Sequence, residues 1–220
     1  MCYNKAMKQD VLKQLYQDLL KNLGDQGNWP AESPEEIILG AILVQNTRWE
    51  NVLLSINNLR QVLDGDFKKI LDLEPETLQD LIRPTGFYKN KSKSILRVFS
   101  WLDQHAYNYG EIEDNYGKNL RDELLGLFGI GQETADVLLL YVFDQLVFIA
   151  DKYAQKLFSS LTRKEFSDYS SLHQAVELEG FSLSEAQQFH ILILEFGKIY
   201  FARGASFEES FLFGATFDLT

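Results

Sequence analysis

One cysteine, Cys2, is all the thiol chemistry in this chain of 220 residues. A disulfide needs two, and a CxxC metal site or an iron–sulfur cluster needs more, so the chain cannot build any of them from its own thiols. The three histidines, His105, His173 and His190, show no mutual spacing of the kind that ligates a metal. The last lies within a helical pattern and reads as a packing residue. Long apolar runs are missing as well. Apolar runs such as residues 137–143 and 191–194 are far too short to cross a bilayer. No basic-then-apolar leader opens the sequence, so the expected location is cytoplasmic, with no membrane partner. Positive charge is scarce: 21 Lys and Arg face 32 Asp and Glu, a formal net charge of -11. That balance opposes any binding of nucleic acid by bulk attraction. Repeats and low-complexity stretches do not occur, and the length suits one large domain or two small ones, each with a real core.

Charge is local, however. Residues 83–97, "RPTGFYKNKSKSILR", hold five basic residues and no acid, and residues 152–164, "KYAQKLFSSLTRK", hold four and no acid. Either could be a solvated helix face. The punctuation around them is helical. Ser33, Pro34 and Glu36 read as N-cap, first helical position and capping box of one helix. Thr47 and Glu50 read as the box of the next, and Ser182 and Glu185 as that of a late one. Gln45 and Asn46 fall at the corner between the first two, where side chains project from a rigid support. "VLLLYVFDQLVFIA" is rich enough in branched and aromatic residues to be a pair of strands, but Asp144-Gln145 is a poor two-residue turn. A buried helix followed by a short extended piece fits better. The fold class expected is all-α.

In "GLFGIGQETAD", Gly129 and Gly131 stand two apart between two helices. Glycines there permit a tight turn and leave backbone N–H groups uncovered, while the following helix directs its N-terminal dipole the same way. Such a corner can hold a phosphate without a lysine or arginine. A plain helix–helix corner capped by glycines reads the same. Asp151 follows Glu133 by 18 residues.

With that interval, the stretch resembles the helix-hairpin-helix and Gly/Pro-rich loop with aspartate of the endonuclease III superfamily of DNA glycosylases. The family writes Leu-Pro-Gly-Val-Gly-x-Lys-Thr-Ala, and Leu127, Gly129, Ile130, Gly131, Thr134 and Ala135 match in place. "ILGAILVQNTRWENV" resembles its early helix pair with a Gln-x-Thr corner, and "IRPTGFYKNKSKSI" its Gly-Phe/Tyr-x-x-Lys-Ala segment. Phe128 replaces the usual proline, Glu133 stands at the lysine position, and the four-cysteine cluster motif is missing. With "DKYAQ" after the hairpin and "GNWP" near the start, these departures resemble the cluster-free bacterial 3-methyladenine DNA glycosylases. The resemblance implies an all-α, two-lobed fold with a cleft between the lobes. Residues 29–131 would form a six-helix barrel lobe including the hairpin, and 1–28 with 132–220 the second lobe.

It also implies roles. Asp151 is the expected catalytic carboxylate, stabilising positive charge on the sugar and orienting water. Its bland alternative is an N-cap, and the two are compatible. The catalytic role requires its carboxyl oxygens to face a groove. Trp29 and Trp49 are the candidate walls of a pocket for an extruded cationic base. Glu133 would add negative potential there, or simply complement a helix dipole; Lys198 could approach the pocket, or extend to solvent. Gln45 matches the residue that fills the vacated stack. Gln45, Asn46, Gly129, Ile130, Gly131, Gln132 and Thr134 are the expected DNA contacts. Asp136 and Asp144 read as helix-end or surface carboxylates. No metal or other cofactor is expected, with room left for a structural cation at the hairpin. A family lysine at the position of Glu133 forms a Schiff base with the sugar, which a carboxylate cannot do. The expected function is thus a monomeric, monofunctional glycosylase removing alkylated bases from double-stranded DNA. Two alternatives stay open: another lesion, such as a mismatched pyrimidine or oxidised purine, or a non-catalytic helix-hairpin-helix module binding DNA or protein.

Overall fold

The computed structural model describes residues 2–162 and 164–217, with side chains from residue 10 onward. Every regular element among them is helical. The chain divides into two compact units, Met1–Trp29 with Asp144–Thr220, and Pro30–Phe143. The discontinuous unit holds α1 (Cys2–Leu23). Seven helices fill the continuous one: α2 (Pro34–Leu43), α3 (Trp49–Val62), α4 (Pro75–Leu81), α5 (Tyr88–Gln104), α6 (Tyr109–Tyr116), α7 (Leu120–Leu125) and α8 (Gln132–Tyr141). The chain then returns to the first unit with α9 (Lys152–Thr162), α10 (Tyr169–His173) and α11 (Leu183–Tyr200).

In the continuous unit, α2 and α8 carry the core. Residues 38–43 of α2 and 134–141 of α8 are buried on every side, as a helix apolar all round must be. They pack on each other, and α2 also packs on α3 and α5, α8 on α7. The division by sequence placed α8 in the other lobe, after Gly131. Its packing against α2 and α7 puts it instead in the continuous unit, which ends at Phe143. One acid interrupts this apolar helix. Asp136 is fully buried and takes Nε of Arg121 at 2.7 Å on Oδ1 and Nη2 at 3.0 Å on Oδ2. The expectation of a surface carboxylate is corrected here. Asp144 is exposed, as expected, at a left-handed backbone position.

The caps divide. Ser33 accepts the amide of Glu36 at 3.2 Å, but the Glu36 carboxylate reaches the amide of Glu32 at 2.8 Å, because Arg60 draws it away from the cap. The Thr47–Glu50 box does not form. Its helix starts at Trp49 after an Arg48 cap without a side-chain bond, and the Thr47 hydroxyl accepts the Asn51 side chain at 3.1 Å. At Ser182 and Glu185 both halves of the box are present.

In the discontinuous unit α11 packs on α1 and α9, and α9 on α10. Residues 142–150 form no strand, and Phe148, Ile149 and Ala150 are buried in an irregular stretch leading to α9. Gly197 lets α11 approach α9 closely: a Cβ there would lie 2.2 Å from the Tyr153 ring. The C-terminal stretch is tied down by rings. Phe196 meets Phe211 edge-on at 5.6 Å, Phe201 stacks on Phe207 at 6.0 Å, and the Phe217 amide donates to the Leu161 carbonyl at 2.8 Å.

Candidate nucleic-acid interface and carboxylate

The hairpin between α7 and α8 is built on two glycines with different duties. Gly129 has φ 80, and a Cβ there would lie 1.8 Å from the Ser94 hydroxyl on α5. Both the backbone and the neighbour demand glycine. Gly131 has φ -90, and a Cβ there would point into open space. Nothing within the protein requires glycine at 131. It serves as N-cap of α8 without a side-chain acceptor, so the dipole of that helix ends at an uncovered surface.

The corner between α2 and α3 is fastened to this hairpin. The Gln45 side-chain amide donates to the Gly129 carbonyl at 3.3 Å and the Thr134 hydroxyl at 3.0 Å. Sequence reading assigned Gln45 to fill a vacated base stack; here its amide holds two helix junctions together. Asn46, next to it, is exposed with φ 55 and projects outward. Gly129, Gly131 and Gln132 are exposed, whereas Ile130 and Thr134 are buried, so any contact from Ile130 must come through its backbone. Glu133 is exposed in the first turn of α8. A depression of about 250 Å³ lies beside the hairpin, lined by Gln45, Asn46, Phe87, Lys91, Phe128 and Gly129.

Two residues of that lining escaped sequence reasoning. Phe87 and Phe128 are 69% and 53% exposed, unusual for phenylalanine. Phe87 caps α5 in a left-handed conformation, φ 47, which turns it out of the core. Only Gly86, marking a turn, hinted at this in the sequence. The basic window of α5 splits by face. Lys89, Lys93 and Arg97 are exposed, while Lys91 is 4% exposed and donates from Nζ to the carbonyls of Leu43 at 2.8 Å and Thr85 at 2.9 Å. Burial lowers its pKa to about 8. In the second window Lys152, Lys156 and Lys164 are exposed, and Arg163 lies outside the described residues. Trp49 is half-buried at the start of α3 in the continuous unit, and Trp29 is half-buried at the end of the first segment of the other.

Asp151 belongs to the discontinuous unit, at the N-terminus of α9. Its Oδ1 accepts the Ala154 amide at 2.7 Å, so it is the N-cap. A catalytic role needs these oxygens to face a groove. They are instead enclosed: the residue is 5% exposed. The second oxygen is enclosed but not satisfied. Oδ2 is buried with no hydrogen-bond partner, a costly state for a carboxylate oxygen. The nearest cationic candidate is His190 of α11, with Nε2 3.6 Å from Oδ2. That histidine was read as packing; it lies 39 residues further along the chain, and no local pattern could pair the two. Lys198, on the same helix, is exposed and pairs with Glu195 one turn earlier.

A helical hairpin with a glycine-lined corner, followed by a carboxylate at a helix start, defines a class. The profile described as "HhH-GPD superfamily base excision DNA repair protein" matches residues 39–177, and the chain belongs to this superfamily. Its members' class is that of the DNA glycosylases of base excision repair. A protein of Methanocaldococcus jannaschii assigned as a DNA repair glycosylase is 37% identical over 198 residues, covering 87% of this chain and 89% of its own. The solved 3-methyladenine DNA glycosylase MagIII of H. pylori, bound to 1,N6-ethenoadenine, is 31% identical with a TM-score of 0.67, covering 87% of this chain and 97% of its own. A non-covalent endonuclease III–DNA complex superposes with a TM-score of 0.71 at 16% identity over 96% of both chains, which speaks to fold alone.

Proposed function

We propose that this protein is a monofunctional DNA glycosylase, acting as a monomer in the cytoplasm, that releases alkylated purines of the 3-methyladenine type from double-stranded DNA. The observation that carries this reading is Asp151: a carboxylate at a helix N-terminus, one oxygen fixed and the other buried without a donor. An oxygen left in that state gains most from a positive charge or a water brought to it. The C1′–N bond of the damaged nucleotide breaks with its electron pair leaving on the base, and positive charge develops on the sugar. Oδ2, enclosed in the free protein, must be uncovered as DNA binds in order to stabilise that charge, and the water that adds to C1′ gives its proton to the carboxylate or to solvent.

Binding is assigned to the corner of Gln45, Asn46, Gly129, Ile130, Gly131, Gln132 and Thr134. Open space above Gly131 lets a phosphate approach the backbone amides at the start of α8. Asn46, with Phe87 and Phe128 beside it, supplies the projecting groups that occupy the place of an extruded base. Trp29, Trp49, Glu133 and Lys198 are assigned to base recognition on the family resemblance alone. The similarity to H. pylori MagIII supports an alkylated purine over other lesions.

Absence of lyase activity rests on Glu133, which carries no amine where a Schiff base would form. Lys91 is the one lysine with a markedly lowered pKa among the described residues, but both bonds of its Nζ are to backbone carbonyls in the interior. With one cysteine, catalysis is assigned to side chains without a cluster.

The test is a panel of labelled duplexes, each bearing one lesion: methylated purine, ethenoadenine, 8-oxoguanine or a G·T mismatch. The expected result is release of the methylated purine, with strand breakage only after heat or alkali. Release confined to 8-oxoguanine or the mismatch would overturn the lesion assignment. Borohydride-trapped protein–DNA complexes would overturn the monofunctional one, and binding without release of any base would leave a silent DNA-binding module.

A further inference from the structure

Asp151 and His190 start from different helices and meet inside one unit. Both side chains are 7% exposed, and His190 Nε2 lies 3.6 Å from Oδ2. That is beyond hydrogen-bond length by about half an ångström. The opposite oxygen is held by the Ala154 amide, which restricts rotation of the carboxylate. The separation of the two helices is itself fixed. Gly197, two turns after His190 on α11, receives the Tyr153 ring of α9, and a Cβ there would overlap that ring. Tyr153 follows Asp151 by two residues, so one interlock sets the distance between the carboxylate and the imidazole.

We propose that His190 is a positioning residue for Asp151: its Nε2 edge, facing Oδ2 at 3.6 Å, biases the direction of that oxygen through a polar contact longer than a hydrogen bond. This rests on the assignment of Asp151 as the carboxylate of base release. A hydrogen bond of normal length would commit Oδ2 and disperse its charge into the ring. An imidazole half an ångström further off orients the carboxylate and leaves the charge available to the sugar. The role requires the ring to carry its proton on Nε2, towards the acid. The lone oxygen is then a poised group, aimed by a neighbour that touches no substrate.

Three variants separate this role from packing. His190→Gln keeps an N–H near the Nε2 position, His190→Phe keeps the ring and removes the donor, and His190→Ala removes both. Single-turnover release of a methylated purine is expected to stay within a few-fold for Gln and fall about tenfold or more for Phe and Ala. Affinity for a duplex carrying an abasic-site analogue should be unchanged in all three. Phe matching the native rate, with Gln slower, would overturn the proposal in favour of packing. If the variants fail to fold, or the native protein releases no base, the proton-coupled 15N resonances of the His190 ring decide the matter. The expected native signature is an Nε2-protonated ring whose Nε2 shift moves in Asp151→Asn. An Nδ1-protonated ring, or one indifferent to that substitution, would overturn the proposal. Failure of the native enzyme on every duplex would instead overturn the glycosylase reading alone.

Discussion

At Asp151, capping and the proposed catalysis use different atoms of the same carboxylate. Oδ1 caps α9, and Oδ2 has no donor. Asp151→Asn keeps an oxygen for the Ala154 amide, so the melting curve should shift by no more than about 1 kcal/mol. Single-turnover base release should fall by about a hundredfold or more, because the amide carries no charge to set against the sugar cation. The two hairpin glycines make a matched pair at the same scale. Gly129→Ala must accept φ 80 and displace the Ser94 hydroxyl, so thermal denaturation should reveal a loss of about 2 kcal/mol or more. Gly131→Ala, with open space ahead of it, should stay within about 1 kcal/mol yet weaken duplex binding in a fluorescence titration. Residues that answer to their neighbours in sequence were readable in advance: Ser33 and Ser182 as caps, the hairpin glycines as a turn. Residues that answer to distant partners were not. Asp136 looked like any helix-end acid, although an acid within "TADVLLLYV" was a signal that something buried had to neutralise it. Lys91 looked like one more cation in a basic window, because a window has no faces until the helix phase is known.

Among the elements, α8 carries a buried ion pair to α7. Arg121→Ala would remove the two-pronged partner of the fully buried Asp136 carboxylate, and chemical denaturation should register about 3–5 kcal/mol of lost stability. Lys91 joins the end of α2 and the turn at Thr85 to α5. Its pKa is about 8 in the folded protein against 10.5 for a free lysine, so between those values the unfolded chain holds more protons. Stability contributed through Lys91 is therefore greatest above 10.5 and is lost as pH falls towards 8. Relative to Lys91→Met, the native protein should gain stability over that range in denaturation midpoints measured at each pH. Tyr107 and Tyr109 act in the opposite sense above pH 10, since burial raises both hydroxyls, which makes the comparison with the variant necessary. The failure of the Thr47–Glu50 box belongs at this scale too. Its letters fit, but the helix starts at Trp49, beyond a corner whose Gln45 is bonded to the hairpin. Local preference alone did not set the helix start.

For the molecule as a whole, the net charge of -11 constrains how it can hold DNA. Backbone amides at the start of α8 release no counterions of their own, so the salt response reports only the cations that reach phosphate. If the exposed Lys89, Lys93 and Arg97 of α5 supply these, log Kd against log salt should have a slope of about 3 or less in magnitude. A markedly steeper slope in titrations across a salt series would place more of the basic residues on the duplex. All-helical architecture was legible from capping and apolar spacing. The allotment of α8 was not, because a helix buried on every face does not disclose in its sequence which neighbours bury it.

The Arg121–Asp136 pair also limits how this lineage can change. Altering either partner first passes through a stranded charge in the interior, a state poorly tolerated by a marginally stable domain. Descendants should therefore retain both residues or exchange both together for apolar ones, and an ancestral series that showed one without the other would need a compensating substitution nearby.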